Sequence, residues 1–199
     1  VSLDKSSLTF TNGNWNTPQT VTATGVDDDL DDGDQTTTIT VSVDDANSDD
    51  AFDPLADQTL SIITTDDDAA GFTITETGGS TTVTEAGSTD TFTVVLTAQP
   101  LTDVVLTLTN PGGDEVVLDK SSLTFTNGNW NTPQTVTATG VDDDLDDGDQ
   151  TTTITIAVDD ANSDDTFDPL ADQTLSIVTT DDDAAGFTIT ETEIGRAHV

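Results

Sequence analysis

The sequence predicts an all-β protein, organised as tandem repeats of an antiparallel β-sandwich of about seven strands. Three observations lead to this prediction. Met, Tyr and Cys are absent and β-branched residues dominate the apolar set, which favours strands over helices. Apolar and polar residues alternate in short segments such as Phe72–Glu76, with turn residues between them, as in strands that have one buried face. A long stretch of the chain also occurs twice.

The repeat defines the domain organisation. Residues 1–77 recur at 116–192, and because five of the 77 positions differ, 72 are identical. A period of 115 residues (116 − 1) is too long for a solenoid repeat and fits a whole small domain. We assign 1–68 to the C-terminal part of one domain, 69–183 to a complete domain and 184–192 to the first strand of the next repeat. Residues 193–199 leave the repeat pattern and resemble a translated sequencing adapter, so we exclude them.

The strand pattern of 69–183 indicates which side chains form the core. Two antiparallel sheets packed face to face bury one face of each strand and leave the other in water. The residues that we expect to be buried are Phe72, Phe92, Leu106, Phe125, Ile154, Ile156, Leu175 and Ile177. Trp15 and Trp130 each follow an Asn-Gly-Asn turn; packing over a hairpin end is the favoured interpretation, and carbohydrate binding is the alternative.

The charge balance restricts the partners and the chemistry. Forty acidic residues stand against three basic ones, giving a net charge of −37. This argues against nucleic acid and anionic membrane surfaces as partners and leaves divalent cations or salt-rich surroundings. No apolar run approaches the ~20 residues of a membrane span. The only His lies in the excluded segment and there is no Cys, so Ser–His and thiolate catalysis are excluded. We therefore predict a protein that is not an enzyme.

One acidic loop, GVDDDLDDGDQ, occurs at Gly25–Gln35 and again at Gly140–Gln150. The second copy places six carboxylates within the eight residues 142–149. Two carboxylates ~4 Å apart repel by roughly 4 kcal/mol at an effective dielectric constant near 20, and no Lys or Arg lies near in sequence. Oxygen donors at this density suit Ca²⁺, which takes 6–8 oxygen ligands. The alternative is a solvated acidic turn between two strands.

A second acidic segment, Asp159–Asp172, has only part of a calcium-loop pattern. Asp160, Asn162 and Asp164 have the spacing of the first three ligands of an EF-hand loop. The required Gly at the sixth position and Glu at the twelfth are missing, so we reject an EF-hand. We predict a turn-rich connector that places Phe167 and Leu170 on the core.

Several motifs in the complete repeat carry a resemblance to a known family. Val136–Gln150, followed by TTTITIAV, resembles the Calx-beta signature, in which a strand enters an Asp-rich turn and a further strand follows. Ile177–Phe187 is similar to the closing strand, triple Asp and Gly-Phe of that family. Val83-Thr84-Glu85 resembles its early Val-x-Glu, and Gly113-Asp114 stands where the family has a Gly-Ser-Asp turn. The resemblance covers the whole of 69–183.

The resemblance implies an immunoglobulin-like sandwich that holds Ca²⁺ at one end, next to the following domain. Carried over position by position, it implies a ligand set of eight acidic residues: Glu85, Asp114, Asp142, Asp143, Asp147, Asp181, Asp182 and Asp183. The corresponding residues of the first copy are Asp27, Asp28, Asp32, Asp66, Asp67 and Asp68. The counterparts of Glu85 and Asp114 would precede Val1, so we expect the first copy to bind Ca²⁺ weakly.

We therefore predict a calcium-binding structural repeat, which stiffens the extracellular stalk of a large surface or secreted adhesin-like protein. Its expected partners are the neighbouring repeats of the same chain, and the sequence indicates no adhesion ligand. The alternative is a passive acidic spacer of a salt-adapted surface protein without a specific ion site. The Asp residues concentrate in loops while the exposed strand faces carry Thr, which favours the calcium hypothesis. Paired carboxylates could also hydrolyse glycosides, but so large a cluster suits a cation better.

Overall fold

The structure is a computed structural model that describes residues 1–192 and Gly195. Apart from Gly195, the segment 193–199 that we attribute to an adapter lies outside the described residues. The chain forms two compact units, Val1–Ala70 and Gly71–Val199. Strands are the only long elements of the described part of the chain, joined by loops and three short 3₁₀ turns. No helix in 1–192 is long and apolar enough to span a membrane.

Thirteen strands are numbered in chain order. The first unit contains β1 (Ser2–Leu3), β2 (Ala23–Thr24), β3 (Gln35–Val41) and β4 (Gln58–Thr64). The second contains β5 (Phe72–Glu76), β6 (Thr81–Thr84), β7 (Thr89–Leu96), β8 (Val104–Thr109), β9 (Val116–Leu118), β10 (Ser122–Phe125), β11 (Gln134–Gly140), β12 (Gln150–Val158) and β13 (Gln173–Thr180).

The second unit is a β-sandwich, which confirms the predicted fold class. One sheet has the strand order β10-β8-β12-β13-β6 and the other has the order β5-β7-β11-β9. All strand pairs are antiparallel except β6 with β13, which is parallel. Nine strands are present where about seven were expected. The excess arises because β6, β9 and β10 have four residues or fewer, too few for alternation to reveal every one of them.

The core lies between the two sheets and contains all eight side chains that we expected to be buried. Burying each such apolar side chain contributes about 1.5–3 kcal/mol to stability. Phe167 of the connector is also buried, at 1% exposure, and Leu170 is half-buried. Trp130 is half-buried as well, and its carbonyl accepts a hydrogen bond from the amide of Leu96 (3.1 Å). This placement of Trp130 fits packing at a hairpin end, whereas Trp15 in the first copy is 71% exposed and does not fit it.

The connector between β12 and β13 is held by the buried side chain of Asp164. The Asp164 carboxylate accepts hydrogen bonds from the amides of Leu101 (2.7 Å), Thr102 (2.9 Å) and Thr166 (3.0 Å). Burial opposes the charge of Asp164, but these donors lower its pKa below the ordinary value. Asp164 therefore fastens the β7–β8 turn to the connector.

The first unit has the same sequence as much of the second but no buried residue among 1–70. It contains two separate two-stranded sheets, β1–β2 and β3–β4. Leu60 is 62% exposed, whereas its counterpart Leu175 is 4% exposed. The reason is that the sequence contains no preceding counterparts of β5–β8, which cover these positions in the second unit. Residues 7–10 form no strand, because the partner of β10 in the second unit is β8.

The segment 184–192, which we assign to the first strand of a further repeat, forms no strand in the structure. Phe187 is 90% exposed, while its counterpart Phe72 in β5 is 5% exposed. In the second unit β5 pairs with β7, and the sequence has no counterpart of β7 after residue 192. Without such a partner, this sequence forms no strand and its Phe187 lies in solvent.

Candidate metal centre

Three strands bring acidic residues to one end of the sandwich. Parallel pairing aligns Thr84 of β6 with Thr180 of β13, so the residues that follow, Glu85 and Asp181, lie side by side. The amide of Glu85 donates a hydrogen bond to the carbonyl of Thr180 (3.1 Å). The third strand, β11, ends at Gly140 and leads into the acidic loop 141–149.

Gly140 allows β11 to approach the end of β6. A Cβ at this position would lie 2.8 Å from the carbonyl carbon of Thr84 and still closer to its oxygen. Contacts under 3.0 Å are essentially never made by real Cβ atoms, so only glycine fits here. The close approach places the start of the acidic loop beside Glu85.

Several aspartates shape the acidic loop by accepting hydrogen bonds from the main chain. Asp181 accepts from the amides of Gly148 (2.7 Å) and Asp183 (2.8 Å). Asp146 accepts from the amide of Ala185 (2.6 Å), which joins the loop to the segment that follows β13. Asp146 was not among the predicted site residues, and its role here is to hold the loop rather than to face the other carboxylates.

The first copy of the loop has the same internal hydrogen bonds. Asp66 accepts from the amide of Gly33 (2.6 Å), and Asp31 accepts from the amide of Ala70 (2.7 Å). These bonds form although the first unit lacks a buried core. The hydrogen bonds of the acidic loop therefore require only the β3–β4 pair and the segments that flank it, and no buried core.

Only the second unit surrounds the loop with a buried carboxylate. One carboxylate oxygen each from Glu85, Asp143 and Asp183 lie within 4.8 Å of one another. Ligands bound 2.3–2.6 Å from one ion are separated by up to about 5 Å, so this spacing suits a shared cation. Glu85 is 1% exposed, and neither of its oxygens has a hydrogen-bond partner. Buried polar groups are nearly always paired, so this side chain requires an explanation.

The surroundings of Glu85 also disfavour the charged form of its carboxylate. Burial raises the pKa of Glu85, and the negative charge of Asp181, with smaller contributions from Asp143 and Asp147, raises it further. The main-chain amide of Asp182 lies near the Glu85 carboxylate and lowers its pKa in part, but it does not meet the geometry of a hydrogen bond. Within residues 1–192, the ion pairs formed by lysines are with Asp4 and Asp119. No lysine therefore neutralises this carboxylate cluster.

A second glutamate at this end was missed by the sequence analysis. The Oε2 atom of Glu115 is buried and has no hydrogen-bond partner. Burial raises the pKa of Glu115, and the charges of Asp147, Asp143 and Asp114 raise it further. The sequence does contain a signal, because this Asp-rich chain has only five glutamates, of which Glu85 and Glu115 are two. We call the set of Glu85, Glu115, Asp143, Asp147 and Asp181–Asp183 the acidic end.

Five predicted ligands are not among the three described carboxylates whose oxygens lie within 4.8 Å of one another. Asp114, Asp142 and Asp182 are exposed. Asp147 is also exposed, although its charge acts on both buried glutamates. The assignment of these residues as ligands stays a prediction.

The predicted ligands of the first copy are arranged differently. They line an open pocket in the first unit: Asp27, Asp28, Asp32, Asp66, Asp67 and Asp68. Within residues 1–70, no three carboxylates meet the 4.8 Å spacing, and none of them is buried. The first copy therefore has the loop but not the buried glutamates.

Comparisons with known proteins give only general similarities. The chain matches no protein-family model and no curated protein. It is similar to the apo-form Calx CBD1 domain, at 17% identity and a TM-score of 0.37, over 56% of this chain and 98% of that one. Domains 4 and 5 of the S-layer protein SbsC are 19% identical with a TM-score of 0.41, over 73% of this chain and 58% of that one.

A PapD-like domain of human CEP192 is 13% identical with a TM-score of 0.39, over 57% of this chain and 87% of that one. Such distant similarities are compatible with the sandwich fold and carry no argument about function. The functional interpretation therefore rests on the acidic end itself.

Proposed function

We propose that the second unit binds Ca²⁺ at the acidic end and acts as a non-catalytic structural repeat of the Calx-beta type. The observation that carries this proposal is the side chain of Glu85, which is 1% exposed, has no hydrogen-bond partner and faces Asp143 and Asp183. Burial without a hydrogen-bond donor disfavours the charged form of a carboxylate unless a counter-charge is present. A bound cation supplies that charge.

The donor chemistry favours calcium over other metals. Every side chain of the acidic end offers carboxylate oxygens, and neither Cys nor His contributes. Zinc and copper sites use nitrogen and sulfur ligands, whereas Ca²⁺ takes 6–8 oxygens in flexible geometry. Mg²⁺ requires near-ideal octahedral geometry and retains its waters. Ca²⁺ is therefore the ion that these residues would hold best.

Binding at this end would stabilise the connection between repeats. In both copies, the second residue after the triple Asp donates its main-chain amide to an aspartate of the acidic loop. Ala70 donates to Asp31, and Ala185 donates to Asp146. A metal ion that orders the loop would also order this connection. We infer that calcium stiffens a chain of such repeats, with neighbouring repeats as partners.

Extracellular modules bind Ca²⁺ with Kd values of about 10⁻⁴–10⁻³ M. A stalk of a secreted or cell-surface adhesin-like protein is the setting that we propose. There a site of this strength would be filled by the calcium outside cells.

Thermal unfolding of the whole chain tests the proposal. At about 100 times Kd, Ca²⁺ should stabilise the second unit by about 2.7 kcal/mol, which raises its Tm by roughly 10 °C. Mg²⁺ should raise the Tm less, and EDTA should abolish the effect. Glu85→Gln is the variant that tests the site, because it removes the buried charge. It should lose most of the rise in Tm that Ca²⁺ causes. Equal Tm shifts with CaCl₂ and with NaCl of the same ionic strength would instead indicate a passive acidic spacer.

A further inference from the structure

The connector between β12 and β13 contains an Asp-Pro pair, Asp168-Pro169, and the same pair occurs in the first copy at Asp53-Pro54. In both copies the Oδ1 atom of the aspartate is buried and has no hydrogen-bond partner. Buried polar atoms are nearly always paired, and the calcium proposal makes no use of this one. We propose that Asp168 cleaves its own peptide bond to Pro169, which makes the connector a self-cleavage site. The inference does not depend on calcium binding.

The reaction needs only the side chain of the aspartate and water. The carboxyl group of Asp168 can reach its own main-chain carbonyl carbon, because the two close a five-membered ring. A carboxyl oxygen attacks that carbon, the carboxyl proton passes to the nitrogen of Pro169, and the C–N bond breaks. The products are a cyclic anhydride at Asp168 and a new N-terminus at Pro169. Water then opens the anhydride to two carboxyl groups, so the net reaction is the hydrolysis of one peptide bond.

Proline is the leaving group that suits this reaction. Its nitrogen carries two ring carbons besides the carbonyl carbon, so it accepts a proton more readily than the nitrogen of an ordinary peptide bond. The nitrogen also has no N–H, and therefore no main-chain hydrogen bond holds it in place. An aspartate directly before a proline thus combines the nucleophile, the proton and the leaving group.

The fold holds the bond between Asp168 and Pro169 in a closed turn. The amide of Leu170 donates a hydrogen bond to the carbonyl of Phe167 (3.1 Å), and the amide of Phe167 donates to the carbonyl of Asp164 (2.9 Å). Phe167 is 1% exposed, and the carboxylate of Asp164 fastens the connector to the β7–β8 turn. The core and a second turn therefore anchor the residues that precede the bond.

The surroundings of Asp168 favour the protonated form that the reaction needs. Burial raises the pKa of its carboxyl group, and the negative charges of Asp160, Asp165 and Asp164 raise it further. The proton that must reach the proline nitrogen is therefore retained to a higher pH than on an ordinary aspartate. Cleavage should occur below this raised pKa and should be lost as the pH rises through it.

Cleavage would cut the chain between two strands that remain hydrogen-bonded to each other. β13 pairs with β12 at seven positions and with β6 at four, so the sandwich should stay assembled. The downstream piece contains β13 and Asp181–Asp183 of the acidic end. Mild acid would thereby leave this piece attached by hydrogen bonds and packing alone, and unfolding would then release it.

Incubation of the whole chain from about pH 4.5 to about pH 8, followed by mass spectrometry, tests the proposal. The expected products are residues 1–168 and 169–199, with Pro169 as the new N-terminus. A positioned proton donor contributes about 10²–10⁴-fold to a rate, so the folded chain should be cleaved at least about tenfold faster than the chain in concentrated urea at the same pH. Equal or faster cleavage in urea would indicate only the ordinary acid lability of an Asp-Pro bond and would overturn the proposal.

Three variants test the chemistry. Asp168→Asn removes the carboxyl group and Pro169→Ala keeps it but supplies a poorer leaving group, so both should lose the cleavage. Asp160→Asn retains both reacting residues and removes a charge that raises the pKa of Asp168. Its cleavage should therefore persist but shift to lower pH. Cleavage after residue 168 in Asp168→Asn, or an unaltered pH profile in Asp160→Asn, would contradict the mechanism.

The first copy provides an internal comparison in the same sample. Asp53-Pro54 lies in a turn with the same hydrogen bond, from the amide of Leu55 to the carbonyl of Phe52 (3.0 Å). Phe52 is 55% exposed, so no core anchors this turn. The bond after Asp53 should therefore be cleaved more slowly than the bond after Asp168. Equal rates at the two sites in the folded chain would show that the fold plays no part and would overturn the proposal.

Discussion

Gly140→Ala tests how the fold builds the acidic end. The added Cβ would lie 2.8 Å from the carbonyl carbon of Thr84, inside the 3.0 Å limit of real Cβ contacts, and closer still to the oxygen. Because the obstacle is main chain and cannot rotate away, the end of β6 must move. Overpacking of this kind costs about 1–3 kcal/mol, and we expect the upper part of that range, a fall in Tm of roughly 10 °C. Glu85 follows Thr84 directly, so calcium affinity should also fall.

Gly25→Ala is the matched control for this variant, since Gly25 occupies the same position in the first copy. There a Cβ would meet only the Thr64 methyl group, at 3.4 Å, which is an ordinary contact. We expect a stability change within about 0.5 kcal/mol and no change in calcium affinity. Differential scanning calorimetry and calcium titration of the two variants measure both effects. Equal changes in the two variants, or an unchanged Gly140→Ala protein, would refute the packing that we describe.

Three further predictions concern ligands, core and pH. Asp142→Asn should abolish the tight part of a calcium titration while Asp27→Asn barely changes it, because only the second copy has buried glutamates; equal losses would contradict the ligand set. Leu175 is 4% exposed and Leu60 is 62% exposed. Leu175→Ala should therefore lower the free energy of unfolding in denaturant by about 2–5 kcal/mol, whereas Leu60→Ala should lower it by less than about 0.5 kcal/mol. Similar losses for the two variants would contradict the unequal burial. In EDTA the raised pKa values of the buried Glu85 and the partly buried Glu115 mean that the folded state binds more protons than the unfolded state. The free energy of unfolding should therefore fall as pH rises from about 4.5 through those pKa values, and saturating Ca²⁺ should reverse the trend; melts from pH 4.5 to 8 would contradict this if stability in EDTA rose with pH.

The fold could be predicted from the sequence because its determinants are local. Alternation along each strand identified side chains such as Phe92 and Ile154, and both are fully buried. The pairing partners of a strand are not local, and the two copies show the consequence. Residues 7–10 have the sequence of β10 but form no strand, because the chain offers them no counterpart of β8. Identical sequences thus differ in structure where their partners differ.

The candidate site could be predicted only in part for a related reason. The resemblance named Glu85, Asp143 and Asp183 among eight candidate ligands, and the structure brings one oxygen of each of these three within 4.8 Å of the others. It could not indicate which of Asp114 and Glu115 is exposed and which is partly buried, because neighbouring residues in a turn point in different directions. That difference depends on hydrogen bonds such as those that the Glu115 carbonyl accepts from Val141 and Thr179, which join distant parts of the chain.

A crystal structure of the whole chain grown with Ca²⁺, with anomalous scattering to locate the ion, tests the central claim most directly. We predict an ion within about 2.3–2.6 Å of oxygens from Glu85, Asp143 and Asp183, and no comparably occupied ion in the first copy of the loop. An acidic end without an ion at millimolar Ca²⁺, or calcium bound only by exposed aspartates elsewhere, would contradict the account.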